Sequence, residues 1–417
     1  MLTVSNNNKT LLKDGKPFFY LADTCWSAFT NIENEDWIYY LYKRKVQGFN
    51  TIQINILPQW DASSTNLNYW PFVDKDPYKL DNAYFTRARE MVKTAKEKGF
   101  EVALVVLWCN YVPGTWASKL FPTGILPFDC LENYVNKVHE TFSDLHPIYV
   151  VTGDTDFQTE ETEKYYISVG KQLKALAKDC LFTTHIKGRY SYIPEELASM
   201  LDLFFYQSGH NSNDLTMPYS LSEEMQAKYP DKPLLNSEPC YEDMGYSGGK
   251  YGRWTRRDVR RAAYVSILSG ACAGITYGAA GIYSWHKATS SFAASLGEGF
   301  DMPKCIEEAM NFPGAWDYGY LKTIFEQLGV DGITSAQELL VNKTTDIRLA
   351  YANENLLLVY LPSNTCVRLN KDFTDWKVDC IDLENRFTCK LNITYKKEQS
   401  VIDMHPFKED VLYIIRK

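Results

Sequence analysis

No cluster of lysine and arginine residues occurs in this chain, although 44 of its residues are basic. Acidic residues number 52, and the formal net charge is −8. A chain of this charge offers little to neutralise a phosphate backbone or an anionic membrane surface, so we expect neither nucleic acid nor membrane as a partner. The hydrophobic fraction of 45% and the charged fraction of 23% exclude disordered and collagen-like classes.

Cysteine pairs of the C-x-x-C kind are also missing, although the chain has 10 cysteines. These cysteines are scattered, and we expect them to act as small buried hydrophobic residues. No H-x-H or H-E-x-x-H spacing occurs either. A zinc site would need three converging ligands, for example His185, His210 and either Glu238 or Asp154. The sequence therefore favours a site without metal or another cofactor.

A basic segment followed by an apolar run, as in a signal peptide, is not found at the N-terminus, and this favours a cytoplasmic location. The stretch 262–285 contains no charged residue, which raises the question of a membrane span. Serines and glycines interrupt this stretch, however. An apolar helix that leads into a glycine-rich strand explains it better.

Short apolar runs alternate with longer stretches of helical period over about the first 330 residues. Eight runs are predicted strands: 18–22, 51–56, 101–108, 148–152, 181–186, 203–206, 233–236 and 274–277. Predicted helices lie between them at 35–45, 83–98, 131–142, 161–178, 194–200, 221–229 and 257–269. Eight such units predict a parallel (β/α)₈ TIM barrel, to which we assign residues 1–332.

The pattern changes after the barrel, where short alternating runs are separated by Asn, Asp, Pro and Lys. The predicted strands here include 356–360, 376–381 and 411–415. We therefore assign residues 333–417 to a small antiparallel β-sandwich domain. This segment contains a single tryptophan, Trp376, so we expect it to pack against the barrel and not to form an aromatic sugar-binding platform.

The carboxyl ends of the strands carry the active site in barrels of this type. Only two carboxylates, Asp154 and Glu238, directly follow the roughly opposed strands four and seven. Glycoside cleavage needs such a pair, one acid to protonate the leaving oxygen and one carboxylate to attack or stabilise the anomeric carbon. The alternative is that Asp154 caps the following helix and that Glu238 forms an ordinary salt bridge in a loop.

Other polar and aromatic side chains near the strand ends are candidate substrate contacts. They are Asp23, Trp60, Trp108, Asn110, His185, Gln207, His210, Tyr241, Tyr277 and Trp285. Trp116 also lies beside a predicted loop, and flat aromatic faces bind the C–H faces of sugar rings. With 10 Trp, 29 Tyr and 21 Phe, most aromatic residues must still be core. Asp23 also suits a turn, and both histidines also suit structural hydrogen bonds.

Several segments together resemble one known family, the apiosidase-like glycoside hydrolases, in which a TIM barrel precedes a C-terminal β-sandwich. The matching segments are PFFYLADTCW (17–26), GFNTIQ (48–53), YVVTGD (149–154), QSGH (207–210), PLLNSEPCYE (233–242), DVRRAAY (258–264) and TYG (276–278). They are spread across nearly the whole predicted barrel. The resemblance therefore implies a glycoside hydrolase.

The resemblance also implies roles for the two carboxylates. The family's acid/base aspartate, in a Gly-Gly-Asp motif, corresponds to Asp154, and its nucleophile, in a Glu-Pro-x-Tyr-Glu motif, corresponds to Glu238. This implies a retaining mechanism. Thr152 replaces the first glycine, and the segment 108–111 departs from the family pattern. Both departures are predicted to lie near the substrate, so we do not assume apiose as the sugar.

The leading hypothesis is a glycoside hydrolase that acts on a plant-type or other complex oligosaccharide. Carbohydrate is then the expected partner. Two alternatives remain open at this point. One is a catalytically silent carbohydrate-binding protein, and the other is a metal-dependent barrel hydrolase with a different substrate.

Overall fold

The computed structural model describes residues 1–60, 67–120, 122–247, 250–290 and 302–417. The chain begins with a three-stranded antiparallel sheet of β1 (Leu2–Val4), β2 (Leu11–Lys13) and β3 (Lys16–Phe18). Leu2, Leu11 and Phe18 of this sheet join the core of the barrel. The sequence did not predict this sheet, and it placed Phe18 in the first barrel strand, because strands of three residues are too short for a periodic signal.

Eight parallel strands follow and form a nearly closed barrel, which confirms the predicted fold. They are β4 (Tyr20–Thr24), β5 (Thr51–Asn55), β6 (Glu101–Trp108), β7 (Ile148–Gly153), β8 (Leu181–Thr183), β9 (Phe204–Tyr206), β10 (Leu234–Asn236) and β11 (Gly274–Tyr277). Their order is β8-β7-β6-β5-β4-β11-β10-β9. The ends of the sheet meet where the Asp202 amide donates to the Phe182 carbonyl over 2.9 Å.

Helices surround this barrel. They are α1 (Ala28–Asn31), α2 (Asn34–Val46), α3 (Asn82–Glu97), α4 (Trp116–Leu120), α5 (Leu131–Phe142), α6 (Glu160–Leu176), α7 (Glu195–Ala198), α8 (Met217–Lys228), α9 (Arg256–Ile267), α10 (Ile306–Ala309) and α11 (Pro313–Gln327). Thr255 and Asp258 form a capping box that begins α9. The uncharged stretch 262–285 contains the end of α9 and all of β11. Among the described residues, no helix combines the length and apolarity needed to cross a membrane.

Two antiparallel sheets form the C-terminal part of the chain, as predicted. Their strands are β12 (Thr334–Ser335), β13 (Arg348–Asn353), β14 (Leu356–Leu361), β15 (Val367–Leu369), β16 (Lys377–Asp382), β17 (Thr388–Leu391), β18 (Ile393–Lys396), β19 (Gln399–Ile402) and β20 (Val411–Arg416). One sheet has the order β12-β13-β14-β20-β16-β17, and the other has the order β15-β19-β18.

The six-stranded sheet packs on both of its faces. Leu358 and Tyr360 of β14 join the core of the barrel, whereas Val359 between them faces the interior of the sandwich. Tyr360 stacks on Tyr264 of α9, with ring centroids 5.4 Å apart and ring planes 7° apart. One face of the C-terminal sheet therefore buries apolar surface against the helices of the barrel.

Candidate active site

A cavity of about 350 Å³ opens where the barrel strands reach their carboxyl ends. Its wall contains both predicted carboxylates and five of the predicted substrate contacts: Trp60, Trp108, Asp154, Gln207, His210, Glu238 and Tyr241. These residues lie at the ends of five different strands or in the segments that follow them. The parallel barrel brings them together because all of its strands end at the same face.

Glu238 follows β10 and is only 6% exposed. Its Oε1 atom accepts a hydrogen bond from Gln207 Nε2 over 2.9 Å. The same Oε1 atom lies 2.9 Å from His210 Nε2. Its Oε2 atom lies 3.1 Å from His185 Nε2. Burial raises the pKa of Glu238, but the hydrogen bonds and charges of the two histidines outweigh burial and lower the pKa to about 2. Glu238 is therefore ionised at neutral pH.

His185 was predicted as a substrate contact, and the structure corrects this prediction: its side chain does not line the cavity but lies beside the Glu238 carboxylate. Its side chain is fully buried, and its Nδ1 atom lies 2.9 Å from Ser237 Oγ. The Ser237 hydroxyl also lies 3.2 Å from the Tyr206 carbonyl. This arrangement fixes the imidazole ring with Nε2 facing the carboxylate.

Aromatic side chains pack closely around these groups. Trp108 stacks on His185 with ring centroids 5.7 Å apart, and Trp26 contacts Trp108 at 5.4 Å. The Trp26 indole N–H donates to the Tyr241 hydroxyl over 3.1 Å, and Tyr241 packs edge-on against His210. Closely packed aromatic side chains therefore surround the histidines that contact Glu238.

Asp154 directly follows β7 and lies on the cavity wall. Its backbone has a φ of +52°, in the left-handed region. The next helix, α6, is capped by Thr159, whose side chain accepts from the Thr162 amide. The alternative that Asp154 caps this helix is therefore wrong.

The residues before Asp154 are fixed by packing. A Cβ atom on Gly153 would lie 2.2 Å from Trp108 Cε3, so only glycine fits there. The Thr152 hydroxyl donates to the His185 carbonyl over 2.8 Å. Thr152, which replaces a glycine of the family pattern, therefore joins β7 to the segment after β8. It does not line the cavity.

Asp23 and Tyr277 were predicted as substrate contacts, and the structure corrects both predictions. Asp23 is buried and forms an ion pair with Arg44 of α2 over 2.6 Å. The Tyr277 hydroxyl donates to Glu242 Oε2 over 2.5 Å. Both side chains face the helices and not the cavity, because successive side chains of a strand point to opposite faces.

Trp285 and Asn110 also lie away from the cavity wall. Trp285 is 1% exposed and packs edge-on against Tyr40, with ring centroids 5.7 Å apart. Asn110 is buried in a short turn after β6. We therefore remove both residues from the set of proposed substrate contacts.

The cavity wall also contains residues that the sequence analysis did not select, among them Trp26, Gln59, Lys187, Arg189 and Tyr283. Each of these five residues lies within six residues after the end of a barrel strand, so a wider search beyond each strand end would have found all of them.

The zinc alternative depended on convergence of His185, His210 and an acidic residue. The two Nε2 atoms instead lie near different oxygens of Glu238, so both histidines contact the carboxylate. Among the described residues, no three His, Cys, Asp or Glu side chains are grouped so that they could hold a metal ion.

Comparisons with solved structures place this arrangement in a known class of fold. A glycoside hydrolase has a TM-score of 0.83 and 22% identity over 100% of this chain and 96% of its own. A glycoside hydrolase family 5 protein from Bacteroides vulgatus has a TM-score of 0.81 and 21% identity over 100% and 93% of the two chains. The fold is that of (β/α)₈ glycoside hydrolases. A search of curated proteins found no significant match.

The family follows from the sequence itself. Residues 5–331 match the model described as "Apiosidase-like, catalytic domain". The chain therefore belongs to the apiosidase-like family and is a glycoside hydrolase with a carbohydrate substrate.

Proposed function

We propose that this enzyme hydrolyses a glycosidic bond of a plant-type or other complex oligosaccharide with retention of anomeric configuration. Glu238 is the nucleophile and Asp154 is the acid/base. The observation that carries this proposal is that both carboxylates line one cavity, in which His185 and His210 keep Glu238 ionised despite its burial. An ionised carboxylate and a second carboxyl group are the two groups that the retaining reaction requires.

The reaction has two steps. In the first step, Asp154 gives its proton to the oxygen of the leaving group while Glu238 attacks the anomeric carbon and forms a glycosyl-enzyme. In the second step, Asp154 removes a proton from water, and this water releases the sugar from Glu238. The mechanism needs the two carboxyl groups about 5–5.5 Å apart.

Other residues of the wall suit the binding of a sugar. Trp60, Trp108 and Tyr241 offer aromatic surface, and Gln207 offers an amide beside the nucleophile. Lys187 is half-exposed on the same wall and pairs with Asp156 over 3.2 Å.

Activity should be measured on a panel of aryl glycosides and plant-derived oligosaccharides. On the substrate found, Glu238→Gln and Asp154→Asn should each lower kcat by roughly 10³-fold or more and leave the fold intact. Glu161→Gln and Asp179→Asn change exposed residues of the same types and serve as matched controls. NMR of the first product formed should show the anomeric configuration of the substrate.

Three results would overturn parts of the proposal. Near-normal activity of either site variant would remove the role of that residue. An inverted product would rule out the glycosyl-enzyme. Stoichiometric zinc in active protein, with activity lost on its removal, would favour the metal-dependent alternative.

A further inference from the structure

Trp116 joins the two loops that follow β6 and β7. It is the first residue of α4, and its indole N–H donates to the main-chain carbonyl of Asp154 over 2.8 Å. Its ring also lies on the cavity wall. The same side chain therefore contacts both the backbone of the proposed acid/base and the space where a sugar would bind.

The backbone conformation of Asp154 is stabilised by such contacts. Its φ of +52° lies in the left-handed region, which is less favourable for aspartate than for glycine. On one side, the preceding Gly153 lies so close to Trp108 that the chain cannot shift toward it. On the other side, the hydrogen bond from Trp116 fixes the Asp154 carbonyl, and with it the direction of the carboxyl group.

Trp116 is itself held firmly in place. The neighbouring Thr115 hydroxyl bonds to the Cys109 carbonyl over 2.6 Å. The Thr162 hydroxyl of α6 bonds to the Pro113 carbonyl over 2.6 Å. Trp60 packs edge-on against the Trp116 ring, with centroids 5.6 Å apart and planes at 83°. A tryptophan anchored in this way can fix the position of a neighbouring group.

We propose that Trp116 is the positioning residue for Asp154, and that Trp116 and Trp60 together form the aromatic wall of the subsite for the leaving-group sugar. This inference rests on the proposed function, because the leaving group is located by the residue that protonates it. A positioning residue of the acid matters most when the leaving group needs a proton, and this gives the proposal a specific kinetic signature.

The test compares two aryl glycosides of the same sugar, one with a dinitrophenolate leaving group and one with a phenolate. Trp116→Phe keeps an aromatic ring and removes the N–H donor. We expect kcat/KM to fall about 10- to 100-fold for the phenyl glycoside and less than about threefold for the dinitrophenyl glycoside. Trp316→Phe, on the outer helix α11, is the matched control. Replacing Trp116 with benzothienylalanine removes the donor at nearly constant shape, in case the phenylalanine variant does not fold.

Asp154→Asn, measured in parallel, distinguishes the acid/base role of Asp154 from the positioning role of Trp116. If this variant shows no dependence on the leaving group, the acid/base role proposed for Asp154 fails. If it shows that dependence but both Trp116 variants lose activity equally on the two substrates, the positioning role of Trp116 is overturned.

Discussion

Nε2 of His210 lies 2.9 Å from Oε1 of Glu238, and the two side chains are each no more than 8% exposed. A carboxylate buried to this degree would ordinarily hold its proton more tightly than in water. The contacts with His210 and His185 reverse that tendency. The ionisation of the proposed nucleophile, Glu238, therefore depends on side chains from two other segments of the barrel.

His210→Phe should raise the pKa of Glu238 from about 2, because the ring that packs on Tyr241 remains while a hydrogen bond and a charge are lost. Activity needs the ionised carboxylate, so the acidic limb of the kcat/KM profile should move to higher pH. Gln207→Leu removes a neutral donor to the same oxygen, and we expect a smaller movement. An acidic limb that stays in place in His210→Phe would contradict this account.

Glu242 should make stability depend on pH. Burial raises its pKa from 4.5 to about 7, although hydrogen bonds from Tyr277 and the Gly314 amide oppose the shift. Between these two values the folded state holds a proton that the unfolded state has released. The contribution of Glu242 is therefore fully present below about pH 4.5 and is lost as the pH rises through about 7.

Glu242→Gln stays neutral and should not show this loss. Relative to the wild type, its unfolding free energy should rise by up to about 3 kcal/mol between pH 4 and pH 8. Urea denaturation at several pH values measures the difference. The exposed Glu161→Gln is the matched control, with an expected change below about 0.5 kcal/mol. A constant difference between Glu242→Gln and the wild type would show that Glu242 does not carry the effect.

Arg260 should be critical for the contact between α9 and the C-terminal sheet. It pairs with Asp410, and it contacts Asp317 of α11 over 2.8 Å. All three side chains are at most 2% exposed. Arg260→Met would leave the buried Asp410 without its cation, whereas Asp317 would keep its pair with Arg256 over 2.7 Å. We expect a loss of about 3–5 kcal/mol of unfolding free energy.

Arg416→Met provides the comparison for that variant, since Arg416 forms a half-exposed pair with Asp379 over 3.3 Å. Loss of this ion pair should lower the unfolding free energy by less than about 1 kcal/mol. Both variants can be compared with the wild type by thermal and urea unfolding. Equal losses of unfolding free energy in the two variants would show that burial does not make the ion pairs of Arg260 more important for stability than the exposed pair of Arg416.

Particular residues show where prediction from the sequence succeeded and where it did not. The positions of Asp154 and Glu238 just after two strands follow from the alternation of apolar runs, because the chain enters a loop where the run ends. Asp23 satisfied the same rule but lies inside β4, which begins and ends two residues later than predicted. An error of this size at a strand end is enough to misplace a side chain.

The sequence by itself determined the barrel, the following sandwich and the two acidic residues at the strand ends, because local periodicity encodes which surfaces must be buried. Only the tertiary structure decided which side chains meet at the cavity. The contacts of His185 and His210 with Glu238, of Trp26 with Tyr241 and of Trp116 with Asp154 join segments that lie far apart in the chain. Such contacts depend on strand tilt and side-chain direction, and a local pattern of residues does not predict either of these.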